Sequence, residues 1–260
     1  MCILLVAHDV HPHYRLVLMA NRDEAHDRPA APAAFWEDAP EVLAGRDLRD
    51  GGTWLGVTRA GRWAALTNFR EPGRRRQEAP SRGGLVSGFL LGSKTPASFV
   101  HEETAGAGAY NGFSLFCGDG SALAFLSNRD AAPRILEPGL YGLSNGPLDR
   151  PWPKVELGRR GLASLLEAAP PLDEEGAFSL LADASRPPDE DLPDTGLGLE
   201  IERALSPIFV ATERYGTRCS TLLALDMEGV ALFVERTYHA GPSVWTESRH
   251  RFRLEPPASR

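Results

Sequence analysis

The order of its segments predicts that this 260-residue chain has an α+β fold, with two antiparallel sheets stacked on each other and helices outside. Strand pairs joined by short turns open the chain, helical segments and strands follow, and another strand pair lies near the end. We expect one domain over residues 1–260, because this length can bury a large core. A parallel, doubly wound sheet is disfavoured, since Gly51-Gly52 and Gly83-Gly84 match neither the dinucleotide-binding nor the P-loop glycine spacing.

The first part of the chain predicts two hairpins. Cys2–Ala7 and Tyr14–Ala20 are short apolar runs separated by a proline-containing turn, so we expect them to pair. Thr53–Thr58 and Arg62–Thr67 flank a short glycine-containing connection of the length that joins antiparallel strands. Antiparallel pairing therefore dominates from the start of the chain.

The middle and end of the chain mix helices with further strands. Helical spacing is predicted over 85–92, 96–103, 155–168 and 175–184, and strands over 113–117, 123–127, 140–143, 219–226, 230–237 and 248–254. Thr95 is the expected N-cap of the second helix, with Pro96 at its first position. The last strand is expected at a sheet edge. Residues 185–198 are rich in proline and acid and predict a long surface loop.

Composition excludes several classes of protein. Hydrophobic residues make up 42% and charged residues 24% of the chain, as in soluble globular proteins. The net charge of −7 argues against nucleic acid as a partner. The short basic clusters Arg74-Arg75-Arg76 and Arg159-Arg160 are interpreted as solvated surface, with the binding of one anionic ligand as the alternative.

The sequence also predicts no membrane span and a cytoplasmic location. Its N-terminal apolar run is short, lacks a preceding basic residue and is followed by His8 and Asp9, unlike a signal peptide. The three cysteines form no Cys-x-x-Cys pair, which suits a reducing compartment and excludes a cysteine zinc site. Cys117 and Cys219 are expected in core strands. No metal site is expected, because the histidines show no ligand spacing, and no nucleophile elbow supports Ser/His/Asp catalysis.

Cys2 carries the most informative chemistry. Removal of Met1 would leave a thiol and an α-amine on one carbon skeleton, with ordinary pKa values of about 8.5 and about 8. Small residues at the second position generally permit that removal. The alternative is that Cys2 is a small buried hydrophobe, which is a common use of free cysteine.

Polar residues at the ends of predicted strands are candidate partners of Cys2. Asn21-Arg22-Asp23-Glu24 ends the strand expected beside it, so a carboxylate there can hold the α-ammonium and a guanidinium can favour the thiolate. A surface salt-bridge turn is the alternative. Asn68 and Asn145 also lie at strand ends, where each is either an oxyanion donor or a turn residue.

Short motifs in consistent order resemble the NRDE family, which includes the transport and Golgi organisation protein 2 group. They extend from the first residue to about Trp245. They are Met1-Cys2-Ile3, Ala20-Asn21-Arg22-Asp23-Glu24, Arg28-Pro29, Phe35-Trp36, Gly51-Gly52-Thr53-Trp54-Leu55-Gly56, Ala64-Ala65-Leu66-Thr67-Asn68, Tyr110-Asn111-Gly112-Phe113, Tyr141-Gly142-Leu143-Ser144-Asn145, Pro151-Trp152-Pro153-Lys154 and Tyr215-Gly216-Thr217-Arg218. The resemblance implies a four-layer αββα sandwich of the N-terminal nucleophile hydrolase type, similar to penicillin V acylase and isopenicillin N acyltransferase.

The same resemblance implies roles for individual residues. Cys2 would be the nucleophile and Asp23 the group that orients its amine, with Arg22 as a counterpart of the arginine beside the thiol. Asn145 resembles the acylase residue that donates to the oxyanion.

Two further residues complete the implied site. Asn68 is a possible partner of Asn145 at the oxyanion, and Arg218 resembles a second active-site arginine.

Two functions from different classes follow. The first is a cysteine amidohydrolase or acyltransferase that acts on a small amide or acyl thioester, needs no cofactor and requires Met1 to be absent. The second is a non-catalytic carrier that uses the same cleft for haem or another hydrophobic ligand. The family's links to haem trafficking and to acyl-lipid or coenzyme A metabolism do not choose between them.

Overall fold

The computed structural model describes residues 2–168, 170–239 and 241–255. Its strands are β1 (Cys2–His8), β2 (Tyr14–Ala25), β3 (Ala30–Trp36), β4 (Ala39–Asp47), β5 (Leu55–Thr58), β6 (Trp63–Asn68), β7 (Phe113–Gly118), β8 (Leu123–Ser127), β9 (Arg134–Leu136), β10 (Gly139–Leu143), β11 (Tyr215–Asp226), β12 (Val230–Tyr238) and β13 (Trp245–Arg253). Its α-helices are α1 (Gly83–Leu91), α2 (Pro96–Gly106), α3 (Pro153–Glu167), α4 (Glu174–Leu181) and α5 (Leu199–Leu205).

These elements form an αββα sandwich, as the sequence predicts. One sheet has six strands in the order β10-β1-β2-β11-β12-β13, and the other has seven in the order β3-β4-β5-β6-β7-β8-β9. Neighbouring strands in both sheets run antiparallel. Helices α3 and α4 cover the outer face of the six-stranded sheet, and α1 and α2 cover that of the seven-stranded sheet.

The alternation of side chains along β1 places it between two apolar layers. Leu4 and Val6 point into the core between the sheets, whereas Ile3 and Leu5 point outward and pack against the layer formed with α3 and α4. Helix α3 approaches β1 closely at Gly158, where an added Cβ would lie 2.7 Å from the Leu5 side chain. This close packing holds the middle of α3 against β1.

The predicted hairpins and helices are present. Strands β1–β2, β5–β6, β7–β8 and β11–β12 pair as expected, and β13 is an edge strand. The Thr95 hydroxyl caps α2 by accepting a hydrogen bond from the Ser98 backbone N–H at 3.2 Å. Cys117 and Cys219 lie buried in core strands, and both are free thiols.

Several elements differ from the prediction. Strands β3 and β4 were not identified individually; β3 contains Pro32, which weakens a strand signal, and is only partly buried. Helix α5 has seven residues and directly follows the proline-rich stretch, so it offers little periodicity. The helix predicted over 175–184 ends at Leu181, and residues 185–198 contain only a 3-10 turn at Asp189–Asp191. No helix of the described residues is long and apolar enough to cross a membrane.

Candidate active site

Cys2 is the first residue of β1 and lies opposite Arg22 of β2. It shares a face of the strand with Leu4, so its side chain points toward the space between the sheets, where a small cavity has Cys2, Arg22 and Trp54 in its lining. Cys2 is 9% exposed. Burial raises the pKa of its thiol and the Asp23 carboxylate adds to the rise, while Arg22 opposes it. The thiol is therefore mainly protonated at neutral pH and needs a base to become a nucleophile.

The segment after β10 holds the backbone of Cys2 on both sides. The Asn145 side-chain oxygen accepts a hydrogen bond from the Cys2 nitrogen at 3.2 Å, and the Ser144 hydroxyl donates to the Cys2 carbonyl at 3.0 Å. The Asn145 amide group in turn donates to the Asn68 carbonyl at 2.7 Å. Asn145 is 1% exposed, so its orientation is fixed by these bonds rather than by solvent.

Asp23 lies one residue beyond Arg22 on β2, at the level where β1 begins, and is 2% exposed. Its carboxylate accepts a hydrogen bond from the Thr217 hydroxyl at 2.7 Å, and its backbone carbonyl accepts one from the Tyr215 hydroxyl at 2.7 Å. Burial raises the pKa of Asp23, while the Lys154 charge and the Thr217 hydrogen bond lower it. The carboxylate is thus fixed on the neighbouring strand close to the start of the chain.

The Arg22 side chain lies on the same face of the six-stranded sheet as that of Cys2. Its guanidinium stacks on the Trp54 ring, 4.2 Å from the ring centre, and lies 3.6 Å from the Asp47 carboxylate. Asp47 also accepts a hydrogen bond from Arg28 at 2.9 Å. Burial raises the pKa of Asp47, but the hydrogen bond from Arg28 and the other contacts of this carboxylate together outweigh burial and hold this pKa below its ordinary value. These contacts hold the Arg22 guanidinium in place near the thiol.

Asn68 and Arg218 occupy less direct positions. Asn68 reaches the site through its backbone carbonyl, which binds Asn145. Arg218 lies at a bulge of β11, and its guanidinium donates to the carbonyl oxygens of Ala25, His26 and Arg28 at 2.8, 3.0 and 3.2 Å, which braces the turn after β2. The structure thus brings Cys2, Arg22, Asp23 and Asn145 together. The roles expected of these four residues in the reaction stay predictions, as do the oxyanion role of the Asn68 side chain and the active-site role of Arg218.

Three residues next to the site were not predicted as functional. Ser144 and Thr217 bind Cys2 and Asp23 directly, and Lys154 at the N-terminal end of α3 is 4% exposed. The Lys154 ammonium donates to the Leu205 carbonyl at 2.9 Å. Their only signal in the sequence is membership of the motifs quoted above, because burial depends on contacts between distant segments.

The arrangement has the parts that acyl transfer requires. A thiol lies beside a fixed carboxylate, a fixed guanidinium and a side-chain amide, and all of them are shielded from solvent. Within the described residues, no group of three or more His, Cys, Asp or Glu side chains is arranged to hold a metal ion.

Comparison with known proteins gives consistent relatives. The family model described as Transport and Golgi organisation 2 matches residues 1–240. The Transport and Golgi organization protein 2 homolog of Bos taurus is 35% identical over an alignment of 276 positions. This alignment covers 98% of this chain and 100% of the relative. The homolog of Homo sapiens is 33% identical over the same shares. The Drosophila melanogaster protein is 27% identical and covers 91% of this chain and 92% of its own length.

Two solved structures are similar at a lower level. A Caenorhabditis elegans N-acylethanolamine-hydrolyzing acid amidase ortholog aligns with a TM-score of 0.43 and 12% identity, covering 85% of this chain and 92% of that chain. The C2A variant of conjugated bile acid hydrolase from Clostridium perfringens aligns with a TM-score of 0.43 and 10% identity, covering 100% and 99%. Likenesses this distant do not transfer chemistry to the chain.

The family assignment therefore depends on sequence. The matched region includes both Cys2 and Asn145, and the mammalian relatives align over nearly the whole length. The chain belongs to the Transport and Golgi organisation 2 family.

Proposed function

We propose that this protein, after removal of Met1, is a cysteine N-terminal nucleophile hydrolase or acyltransferase that acts on a small amide or acyl thioester. The observation that carries the proposal is the hydrogen bond between the Cys2 nitrogen and the Asn145 side-chain oxygen, at 3.2 Å. In the processed chain this nitrogen is the α-amine. The bond would then orient the base on the same residue as the nucleophile.

The proposed first step transfers the thiol proton of Cys2 to its own α-amine. The thiolate attacks the carbonyl carbon of the substrate, and a carbon–sulfur bond forms as the carbonyl oxygen becomes an oxyanion. The Asn145 amide group, which spends one hydrogen on the Asn68 carbonyl, has a second hydrogen to donate to that oxyanion. A donor of this kind is typically worth about 3 kcal/mol of barrier.

The second step breaks the bond to the leaving group. The ammonium of Cys2 returns its proton to the departing amine or thiol, and an acyl-Cys2 thioester remains. Water attacks this thioester in hydrolysis, whereas a second amine attacks it in acyl transfer. Either attack releases the thiol and completes the cycle.

Trapping of the acyl-enzyme tests the proposal. Protein that begins with Cys2 is exposed to small N-acyl amides and acyl thioesters, and its peptides are mapped by mass spectrometry. We expect an acyl adduct on Cys2 in the parent and in Cys219→Ala, and none in Cys2→Ala. Cys219→Ala is a matched control because Cys219 is another buried strand cysteine of the same sheet. An adduct that persists in Cys2→Ala would contradict the proposal.

The haem-carrier alternative is not better supported. None of the contacts among residues 2–168, 170–239 and 241–255 favours it over acyl transfer. Titration of the protein with haem separates the two functions. A Soret band in a protein that forms no acyl adduct would favour the carrier, and its persistence in Cys2→Ala would exclude Cys2 as the axial ligand.

A further inference from the structure

The cavity beside Cys2 lies between the two sheets. Cys2 lines it from the start of β1, and the cross-strand pair of Leu4 and Ala20 lies two residues further along β1 and β2. Leu55 of β5 and the preceding residue, Trp54, line it from the seven-stranded sheet. The candidate nucleophile is therefore in direct contact with a space that both sheets enclose.

The walls of this cavity are mainly apolar, and the cavity is small. Leu4, Ala20 and Leu55 belong to the core between the sheets and are at most 4% exposed. Ala20 lies between Leu4 on β1 and Thr221 on β11 in one cross-strand row, and its single methyl group leaves space that a larger side chain would fill. The cavity volume is about 10 Å³, which is room for about one water molecule or a group of methyl size.

Arg22, the charged side chain in the lining, already has an acidic partner. Its guanidinium stacks on Trp54, which also lines the cavity, and lies 3.6 Å from the Asp47 carboxylate. An additional buried anion would have no cation of its own and would carry the full cost of leaving water. The cavity therefore favours an uncharged, aliphatic group over an acidic one.

We propose that this cavity receives the acyl group of the substrate and restricts it to short aliphatic chains such as acetyl or propanoyl. This inference rests on the proposed function. In that reaction the carbonyl carbon bonds to the Cys2 sulfur, and the leaving group departs with the proton that the α-amine returns. An enclosed cavity of this size cannot release a leaving group. The leaving group therefore exits toward solvent, to which Cys2 is 9% exposed, and the acyl chain occupies the cavity.

Two side chains set the length of the acyl chain that fits. Ala20 lines the cavity from the six-stranded sheet, and Leu55 lines it from the opposite sheet. A longer chain needs space that these close-packed walls already occupy, and a methylene that does not fit a pocket typically costs about tenfold or more in rate. A larger residue at position 20 should therefore exclude even short chains, whereas a smaller residue at position 55 should admit longer ones.

The test measures the rate of Cys2 acylation as a function of acyl chain length. Protein that begins with Cys2 is incubated with acetyl, butanoyl and octanoyl thioesters of N-acetylcysteamine, which share one leaving group, and the adduct is quantified by peptide mass spectrometry. The parent should react about tenfold or more faster with the acetyl than with the octanoyl thioester. Ala20→Val should slow acetylation about tenfold, and Leu55→Ala should raise the ratio of butanoyl to acetyl rates about tenfold. Leu55→Val should shift that ratio less but in the same direction, in case the alanine variant does not fold.

Two control variants separate the cavity from general damage to the core. Leu123→Ala shortens a buried leucine of the same core, Ala231→Val enlarges a buried alanine there, and neither residue lines the cavity. Both variants should keep the parent's ratio of butanoyl to acetyl rates. A parent that acylates Cys2 equally fast with all three thioesters, or folded Leu55 variants with the parent's ratio, would overturn the assignment of the cavity. Failure of the proposed function is distinguishable, because then no thioester gives an adduct on Cys2 of the parent.

Discussion

The Asn145 side-chain oxygen accepts a hydrogen bond from the backbone nitrogen of Cys2, although 143 residues separate them in the chain. The contact joins the beginning of β1 to the segment after β10, and these two strands are neighbours in the six-stranded sheet. The amide nitrogen of Asn145 simultaneously binds the Asn68 carbonyl at the end of β6, in the other sheet. One buried side chain therefore ties the candidate nucleophile to both sheets.

Substitution of Asn145 should destabilise the protein. Asn145→Ala leaves the Cys2 nitrogen and the Asn68 carbonyl without their side-chain partner, so we expect a loss of about 2 kcal/mol in the free energy of unfolding. Denaturant titration measures it. Asn111 is the matched control, because its side chain also bridges two backbone groups, at Arg76, but does so at the surface. Equal effects of Asn145→Ala and Asn111→Ala would contradict the buried role of Asn145.

Thr217 should support Asp23 through its hydroxyl. That hydroxyl donates to the Asp23 carboxylate at 2.7 Å and accepts from the Val210 N–H at 2.9 Å. Thr217→Val keeps the shape but removes both bonds, and we expect it to cost about 1–3 kcal/mol, whereas Thr217→Ser keeps the hydroxyl and should cost clearly less. Thermal unfolding of the two variants gives the comparison. A serine variant as unstable as the valine variant would indicate that the methyl group, not the hydroxyl, matters here.

The buried ion pair between Arg70 and Glu202 should depend on both partners. Their side chains are 5% and 4% exposed, and Glu202 also accepts a hydrogen bond from the Thr195 N–H at 3.0 Å. Arg70→Met leaves a buried carboxylate without its main cation and should cost about 3–5 kcal/mol. Adding Glu202→Gln should recover part of that loss. The exposed ion pair between Lys94 and Glu102 is the control, because Lys94→Met should lower the free energy of unfolding by less than about 1 kcal/mol. If the losses in free energy of unfolding caused by Arg70→Met and Glu202→Gln are additive in the double variant, the two side chains are not energetically coupled and this prediction is wrong.

The burial of Lys154 should make the free energy of unfolding depend on pH. Its pKa is about 8 in the folded protein against 10.5 in its ordinary range, so between these values the unfolded chain binds more protons than the folded one. The free energy of unfolding contributed by Lys154 therefore rises as pH rises from about 8 to about 10.5. We expect the parent to gain about 1–3 kcal/mol relative to Lys154→Met across this window. If the free energy of unfolding changes with pH in parallel for the two proteins, Lys154 keeps its ordinary pKa in the folded state and this prediction is wrong.

The sequence predicts the sheets well because their determinants are local. The β5–β6 and β7–β8 hairpins are identified by apolar runs around short glycine-containing turns, and the Thr95-Pro96 start of α2 by its capping residue. Strand β3 is harder to identify because Pro32 interrupts it and its exposure follows no clean alternation.

The site is less predictable, because it is made by contacts between distant segments. Cys2, Arg22, Asp23 and Asn145 were selected from strand ends and from family resemblance, and the structure brings them together. Nothing in the local pattern indicates that Lys154 is buried. Its ammonium donates to the Leu205 carbonyl at the end of α5, a contact between segments 51 residues apart in the chain.

The central claim is that Cys2 reacts only when its own nitrogen is a free amine. The most direct measurement compares the acylation of two proteins by intact mass. The first protein begins with Cys2. In the second, a glutamate inserted after Met1 prevents the removal of Met1. The account predicts an acyl adduct that maps to Cys2 in the first protein and none in the second. Equal acylation of both proteins would contradict the role of the α-amine, and no adduct in either would contradict Cys2 as the nucleophile.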